Sequence, residues 1–112
     1  MKNKRDLIFN IFIIIDNKNI KIANINYNYK IDSSNIEIYD KELVKNLIPI
    51  ENNGRDLNWE EIIKFLESRL FPRDDDRTLK NFGLEEFDLF KLLEITKGKR
   101  INDCFNVELV KY

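Results

Sequence analysis

The sequence contains no histidine and no glutamine, and only one cysteine, three glycines and two prolines in 112 residues. Without histidine there is no Ser-His or Cys-His nucleophile pair, no imidazole metal ligand, and no use of the commonest general base. Cys104 has no second cysteine to join, so an internal disulfide is excluded, which fits a reducing compartment. An excess of charge of one sign is also lacking: 19 basic residues stand against 20 acidic ones, a formal net charge of −1. That balance argues against a generally basic nucleic-acid-binding face, which needs clustered Lys and Arg, and against a strongly acidic mimic of nucleic acid. The local clusters Lys2, Lys4, Arg5 and Lys97, Lys99, Arg100 read as solvated surface and helix C-terminal charge. Long hydrophobic runs are missing as well. Leu7 to Ile15 is apolar apart from Asn10 but too short to span a bilayer. Asp16-Asn17-Lys18-Asn19 follows it, with no small-residue cleavage pattern of a signal peptide, so the chain is expected in the cytoplasm.

What is abundant is Ile, Asn and Lys. This bias resembles the codon usage of an AT-rich genome and would suit a low-GC bacterium, its phage or a mobile element. The length supports one core rather than two, and residues 1–112 are read as a single α+β domain.

The first forty residues carry strand signals. Leu7 to Ile15 is rich in β-branched and aromatic residues, with apolar side chains on both parities, which predicts a strand covered on both faces. Asp16 to Asn19 supplies turn chemistry. From Ile20 to Ile31 a second strand pattern changes phase: Ile20 and Ile22 share one parity, while Ile25, Tyr27, Tyr29 and Ile31 share the other. Side chains alternate with period two, so a bulge or break is required near Ala23-Asn24, and Asn24, Asn26 and Asn28 then face away from the core. Asp32-Ser33-Ser34-Asn35 is read as the next turn and Ile36 to Tyr39 as a third strand. Short loops between these strands predict an antiparallel meander.

The second half carries helical spacing. Leu43, Val44, Leu47 and Ile48 suit a short helical turn before Pro49. Asn58 with Glu61 three residues later forms a capping-box signature, and Trp59, Ile62, Ile63, Leu66 and Leu70 define one apolar helix face ending before Pro72. Asp74, Asp75 and Asp76 suit the start of a second, shorter helix with Leu79 and Phe82 inward and Gly83 past its end. Asp88 caps a third, containing Leu89, Phe90, Leu92, Leu93 and Ile95, which Gly98 ends. Cys104 to Tyr112 returns to strand character, so a C-terminal strand is expected to join the N-terminal meander, packed against about three short helices.

The densest charge lies in Arg69-Leu70-Phe71-Pro72-Arg73-Asp74-Asp75-Asp76-Arg77. The candidate partner-binding residues are Arg69, Arg73, Asp74, Asp75, Asp76 and Arg77, because planar guanidinium forks grip phosphate or acidic groups. The same residues also make an internal brace across the proline turn. Three consecutive aspartates at a helix start do not converge on one point and lack calcium-hand spacing, so no metal site is expected there. Cys104, among apolar neighbours, reads as an inert, half-buried thiol.

Leu66-Glu67-Ser68-Arg69-Leu70-Phe71-Pro72-Arg73, Phe82-Gly83-Leu84, Leu92-Leu93, Gly98 and Asp103 resemble the small segment known in some bacterial proteins as HipA-like, C-terminal. The Asp74-Asp75-Asp76 run and Asn106, at a position expected to hold tryptophan, depart from that pattern. The resemblance implies a non-catalytic helical module without phosphoryl transfer; neither a glycine-rich phosphate loop nor a histidine-containing catalytic loop is visible. In general character the chain is also similar to anti-CRISPR and other phage anti-defence proteins, which are short, single-domain and act by occlusion.

The leading expectation is therefore a small non-enzymatic protein-binding module, an inhibitor of a bacterial defence effector such as a CRISPR nuclease complex, with no cofactor. One alternative is a nucleic-acid-binding module or small regulator, carried by a Tyr27–Tyr29 stacking ladder and the two basic clusters. Another is a HipA-like accessory segment, and a third a small metal-dependent nuclease using Asp and Glu alone.

Overall fold

A computed structural model describes residues 4–44, 57–70, 80–81, 83–84, 87–99 and 104–112. They form an α+β fold: strands β1 (Leu7–Ile15), β2 (Lys18–Asn28) and β3 (Ser33–Ile38), helices α1 (Lys41–Val44), α2 (Trp59–Ser68) and α3 (Leu89–Thr96), and strand β4 (Phe105–Lys111). The strands make one antiparallel sheet in the order β3-β2-β1-β4, a meander to which the C-terminal strand adds beside β1.

Asp16 and Asn17 turn β1 into β2 in two residues, both with positive φ (51° and 65°), the backbone that Asp and Asn tolerate in a tight hairpin. The expected phase change is there. Ile11 pairs with Ala23 and Phe12 with Lys21, so Ile22 is the extra residue of a bulge. Ile22 and Ala23 are consequently both buried, and the alternation of Ile20 is reconciled with that of Ile25 and Tyr27.

The β2–β3 turn falls at residues 29–32, earlier than the Asp32–Asn35 turn expected from composition, and Ser33, Ser34 and Asn35 belong to β3. Two contacts account for the shift. Asp32 adopts φ 48° and its carboxylate accepts from the Tyr27 hydroxyl (2.5 Å) and from the Trp59 N–H at the start of α2 (3.1 Å). The buried Ser34 hydroxyl bonds both the N–H and the C=O of Leu57, each at 3.0 Å. Tyr29 and Ile31, expected to continue the strand, are exposed instead.

The inner face of the sheet carries Leu7, Phe9, Ile11, Ile13, Ala23, Ile25 and Tyr27 against the buried side of α2 and α3. Phe9 stacks on Phe65 (6.2 Å between centroids), and Tyr27 packs on Trp59 (5.5 Å). The capping box at α2 is formed: Asn58 Oδ1 accepts from the Glu61 N–H and Glu61 Oε1 accepts from the Asn58 N–H. Asp88 caps α3 as expected, but the left-handed residue that closes it is Lys97, with Gly98 left-handed immediately after.

Gly98 is where three elements meet. A Cβ there would lie 3.3 Å from Val107 Cβ and 3.4 Å from Arg69 Cβ, so with φ at 61° glycine suits both the backbone and the close approach of α2, the α3 terminus and β4. The expected second helix at Asp74–Phe82 and the turn before Pro49 lie largely outside the described residues. Of the former, Lys80 and Asn81 are helical and Gly83, at φ 74°, donates to the Lys80 carbonyl. Among the described residues no helix is long and apolar enough to cross a membrane.

Candidate functional site

Of the six residues singled out in the charged stretch, the structure describes Arg69; Arg73, Asp74, Asp75, Asp76 and Arg77 lie outside the described residues. Arg69 is 5% exposed. Its Nε donates to the Gly98 carbonyl (3.0 Å) and an Nη donates to the Phe105 carbonyl (3.2 Å). A guanidinium forked onto two backbone oxygens ties the end of α2 to the α3–β4 connection and satisfies an edge carbonyl of β4. Val107, two residues along, donates its N–H to the Lys97 carbonyl (2.7 Å). Two successive outward-facing backbone groups of β4 are thus closed.

The tyrosine ladder is not a stacking surface. Tyr27 is fully buried, and burial together with its hydrogen bond to Asp32 pushes its hydroxyl well above the ordinary phenol value. Asp32 shifts the opposite way, held below the usual carboxylate range by the Tyr27 hydroxyl, the Trp59 N–H and Lys4. Lys4 is engaged with Asp32 at 3.4 Å, and the Arg5 guanidinium lies 4.6 Å from the Phe90 ring centroid. Cys104 is exposed rather than half-buried, because it precedes β4 and only its carbonyl, which accepts from Ile14 N–H, is drawn into the sheet.

The other face of the sheet brings together residues that no local pattern joins. By register, Glu37 of β3, Asn24 of β2, Asn10 of β1 and Glu108 of β4 form one row across all four strands. Asn24 Nδ2 donates to Asn10 Oδ1 (2.8 Å), and Asn10 Nδ2 donates to Glu108 Oε1 (3.0 Å). Beside that row, Asn106 Nδ2 donates to Asn19 Oδ1 (2.8 Å). Asn10 and Asn106 are 6% and 4% exposed, walled in by their neighbours, whereas Lys21, Asn26, Asn35, Glu37 and Glu108 stand open to solvent. Phe12 lies on this face opposite Lys21 and Asn106. Tyr39, 55% exposed, joins it by donating its hydroxyl to Glu37 Oε2 (2.9 Å), which raises the Tyr39 pKa.

The result is a surface that joins amides of preset orientation, a carboxylate near each edge, two aromatic rings and the half-buried Ile8 and Ile14. It offers donors and acceptors for a polar surface laid on it. Among the described residues no group of three or more His, Cys, Asp or Glu side chains is placed to hold a metal ion.

Part of this surface could be read from Asn24, Asn26 and Asn28, which alternate with core residues in β2. Asn10, Asn35 and Asn106 could not be added to it, since only strand order and register place them on the same face.

No family model, no curated protein and no solved structure matches the chain.

Proposed function

We propose that the chain is a non-enzymatic protein-binding module that docks its partner on the sheet face opposite the described helices. The observation that carries this reading is the Asn24–Asn10–Glu108 hydrogen-bonded row on a face whose rim residues are exposed. Side chains already locked in one geometry lose little entropy on association, which favours their use at an interface. Extended by Glu37 of β3, the row crosses all four strands, three strand spacings or about 14 Å, wide enough for a helix or a strand pair of a partner to lie across it.

In its finer form the proposal is that the module serves a phage or mobile element in the bacterial cytoplasm, occluding a defence effector such as a CRISPR nuclease complex. The small size, the Ile-, Asn- and Lys-rich composition and the absence of histidine support it. A nucleic-acid reading draws on Phe12, Tyr39 and Lys21, but Glu37 and Glu108 on the same face repel phosphate, so the protein partner is preferred.

The test is affinity purification from the native host with the wild-type chain and with an Asn26→Arg/Asn35→Arg double variant. Both positions are exposed and oppose each other on β2 and β3, outside the bonded row. The variant should fold normally and lose the proteins that the wild type retains. Retention of the same proteins by the variant would overturn the docking face. Salt-sensitive binding of single-stranded RNA or DNA in gel shifts would favour the nucleic-acid reading.

A further inference from the structure

Glu108 stands where the amide face turns around the edge of β4 into a groove of about 250 Å³ between β4 and α3. Buried Leu93 and Val107, with half-buried Phe12 and Leu109, supply its apolar part, and the Asn19 and Asn106 amides line it beside them. Exposed Glu94, Lys97 and Glu108 stand at its rim. Glu94 is already paired with Lys91 (3.9 Å). Glu108 is different: its Oε1 accepts from the neutral Asn10 amide, and among the described residues no cation comes within ion-pair distance of it. A carboxylate aimed by a neutral donor, itself held by Asn24, has no cationic partner among the described residues to compete with an incoming group.

We propose that this groove receives an arginine side chain of the protein partner. The proposal rests on the docking-face reading and names the chemistry that anchors it. The apolar part of the groove matches the aliphatic stem, Glu108 matches the guanidinium fork, and the Phe12 ring offers a surface on which a planar cation lies better than a compact ammonium. An arginine ringed by ordered polar groups is an arrangement in which one residue can anchor an interface, and the amide row supplies that ring.

The experiment is a titration of the 15N-labelled full chain with N-acetyl-arginine N-methylamide, with the lysine analogue in parallel. The arginine compound should give saturable shifts at the Leu93 and Leu109 backbone amides and at the Asn10 side-chain amide. Glu108→Gln keeps an acceptor for Asn10 and removes only the charge, and it should weaken the arginine compound about threefold, as expected for a solvent-accessible charge contact. Shifts that are absent, that scatter over unrelated carboxylates, that persist unchanged in Glu108→Gln, or that the lysine analogue reproduces at equal strength would each overturn the proposal. If the groove stays silent while Asn26→Arg/Asn35→Arg still abolishes partner capture, the arginine anchor falls and the docking face stands. If the face variant keeps the partner, the docking reading itself falls, and the anchor with it.

Discussion

Replacing Arg69 by alanine removes the fork onto the Gly98 and Phe105 carbonyls. Each hydrogen bond from a charged donor contributes roughly 1.5–3 kcal/mol net, and the buried methylenes of the stem add about 0.8 kcal/mol apiece. Against these stand the relief of desolvating a guanidinium and about 2 kcal/mol of side-chain entropy returned. The balance is a loss of about 3 kcal/mol. A chain of this length holds roughly 6–17 kcal/mol in all, so the variant still folds at room temperature while its melting temperature falls by about 12 °C. Arg69→Met keeps the stem and leaves the two carbonyls without the fork, so it should lie between the variant and the wild type. Urea titration and calorimetry read both substitutions. If Arg69→Ala and Arg69→Met melt within about 3 °C of the wild type, the fork contributes nothing to the fold and the structural reasoning about Arg69 is refuted. Lost partner binding with unchanged melting would assign Arg69 to recognition instead.

Tyr27→Phe removes the hydroxyl that lowers the Asp32 pKa and is itself raised by burial. The Asp32 contribution is full above its unfolded value near 3.8 and is lost as pH falls through the lower folded value, whereas the Tyr27 contribution is full below its unfolded value near 10.0 and is lost at higher pH. The gap in urea midpoint between wild type and Tyr27→Phe should therefore be constant between about pH 5 and 9 and shrink below about pH 4; a gap that stays constant down to pH 2 contradicts the Tyr27–Asp32 link. Gly98→Ala places a Cβ 3.3 Å from Val107 at φ 61°, whereas Gly83→Ala meets nothing within 4 Å at φ 74°. Both should lose about 1 kcal/mol to the left-handed backbone, and Gly98→Ala about 1 kcal/mol more from crowding, so equal losses in chemical denaturation would remove the argument for close approach.

Local chemistry in the sequence was enough for the capping box at Asn58, the cap at Asp88, the need for a bulge near Ala23 and the strand at Leu7–Ile15, although that strand is fully buried on one face only, with Ile8, Phe12 and Ile14 half-buried on the other instead of covered as expected. Each depends on residues within a few positions of one another. The misplaced turn at residues 29–32 shows the limit of such reading: Ser33, Ser34 and Asn35 have turn composition, yet Ser34 is drawn into β3 by Leu57, 23 residues away. Arg69 stood out by charge density, but its carbonyl partners at Gly98 and Phe105 belong to elements whose packing no periodicity encodes. The amide row is the extreme case. Asn10 interrupts an apolar strand and reads locally as a blemish, and it acquires a role only when β2 and β4 bring Asn24 and Glu108 to either side of it.

The docking face is tested most directly by hydroxyl-radical footprinting of the captured complex against the free chain, read side chain by side chain. Phe12 and Tyr39 share the face with the amide row, whereas Tyr29 and Ile31 project from the β2–β3 turn and Ile95 from α3. Protection of Phe12 and Tyr39 with Tyr29, Ile31 and Ile95 unchanged is the predicted result. Protection of Ile95 or of the Tyr29–Ile31 turn, with Phe12 and Tyr39 as reactive as in the free chain, would contradict it.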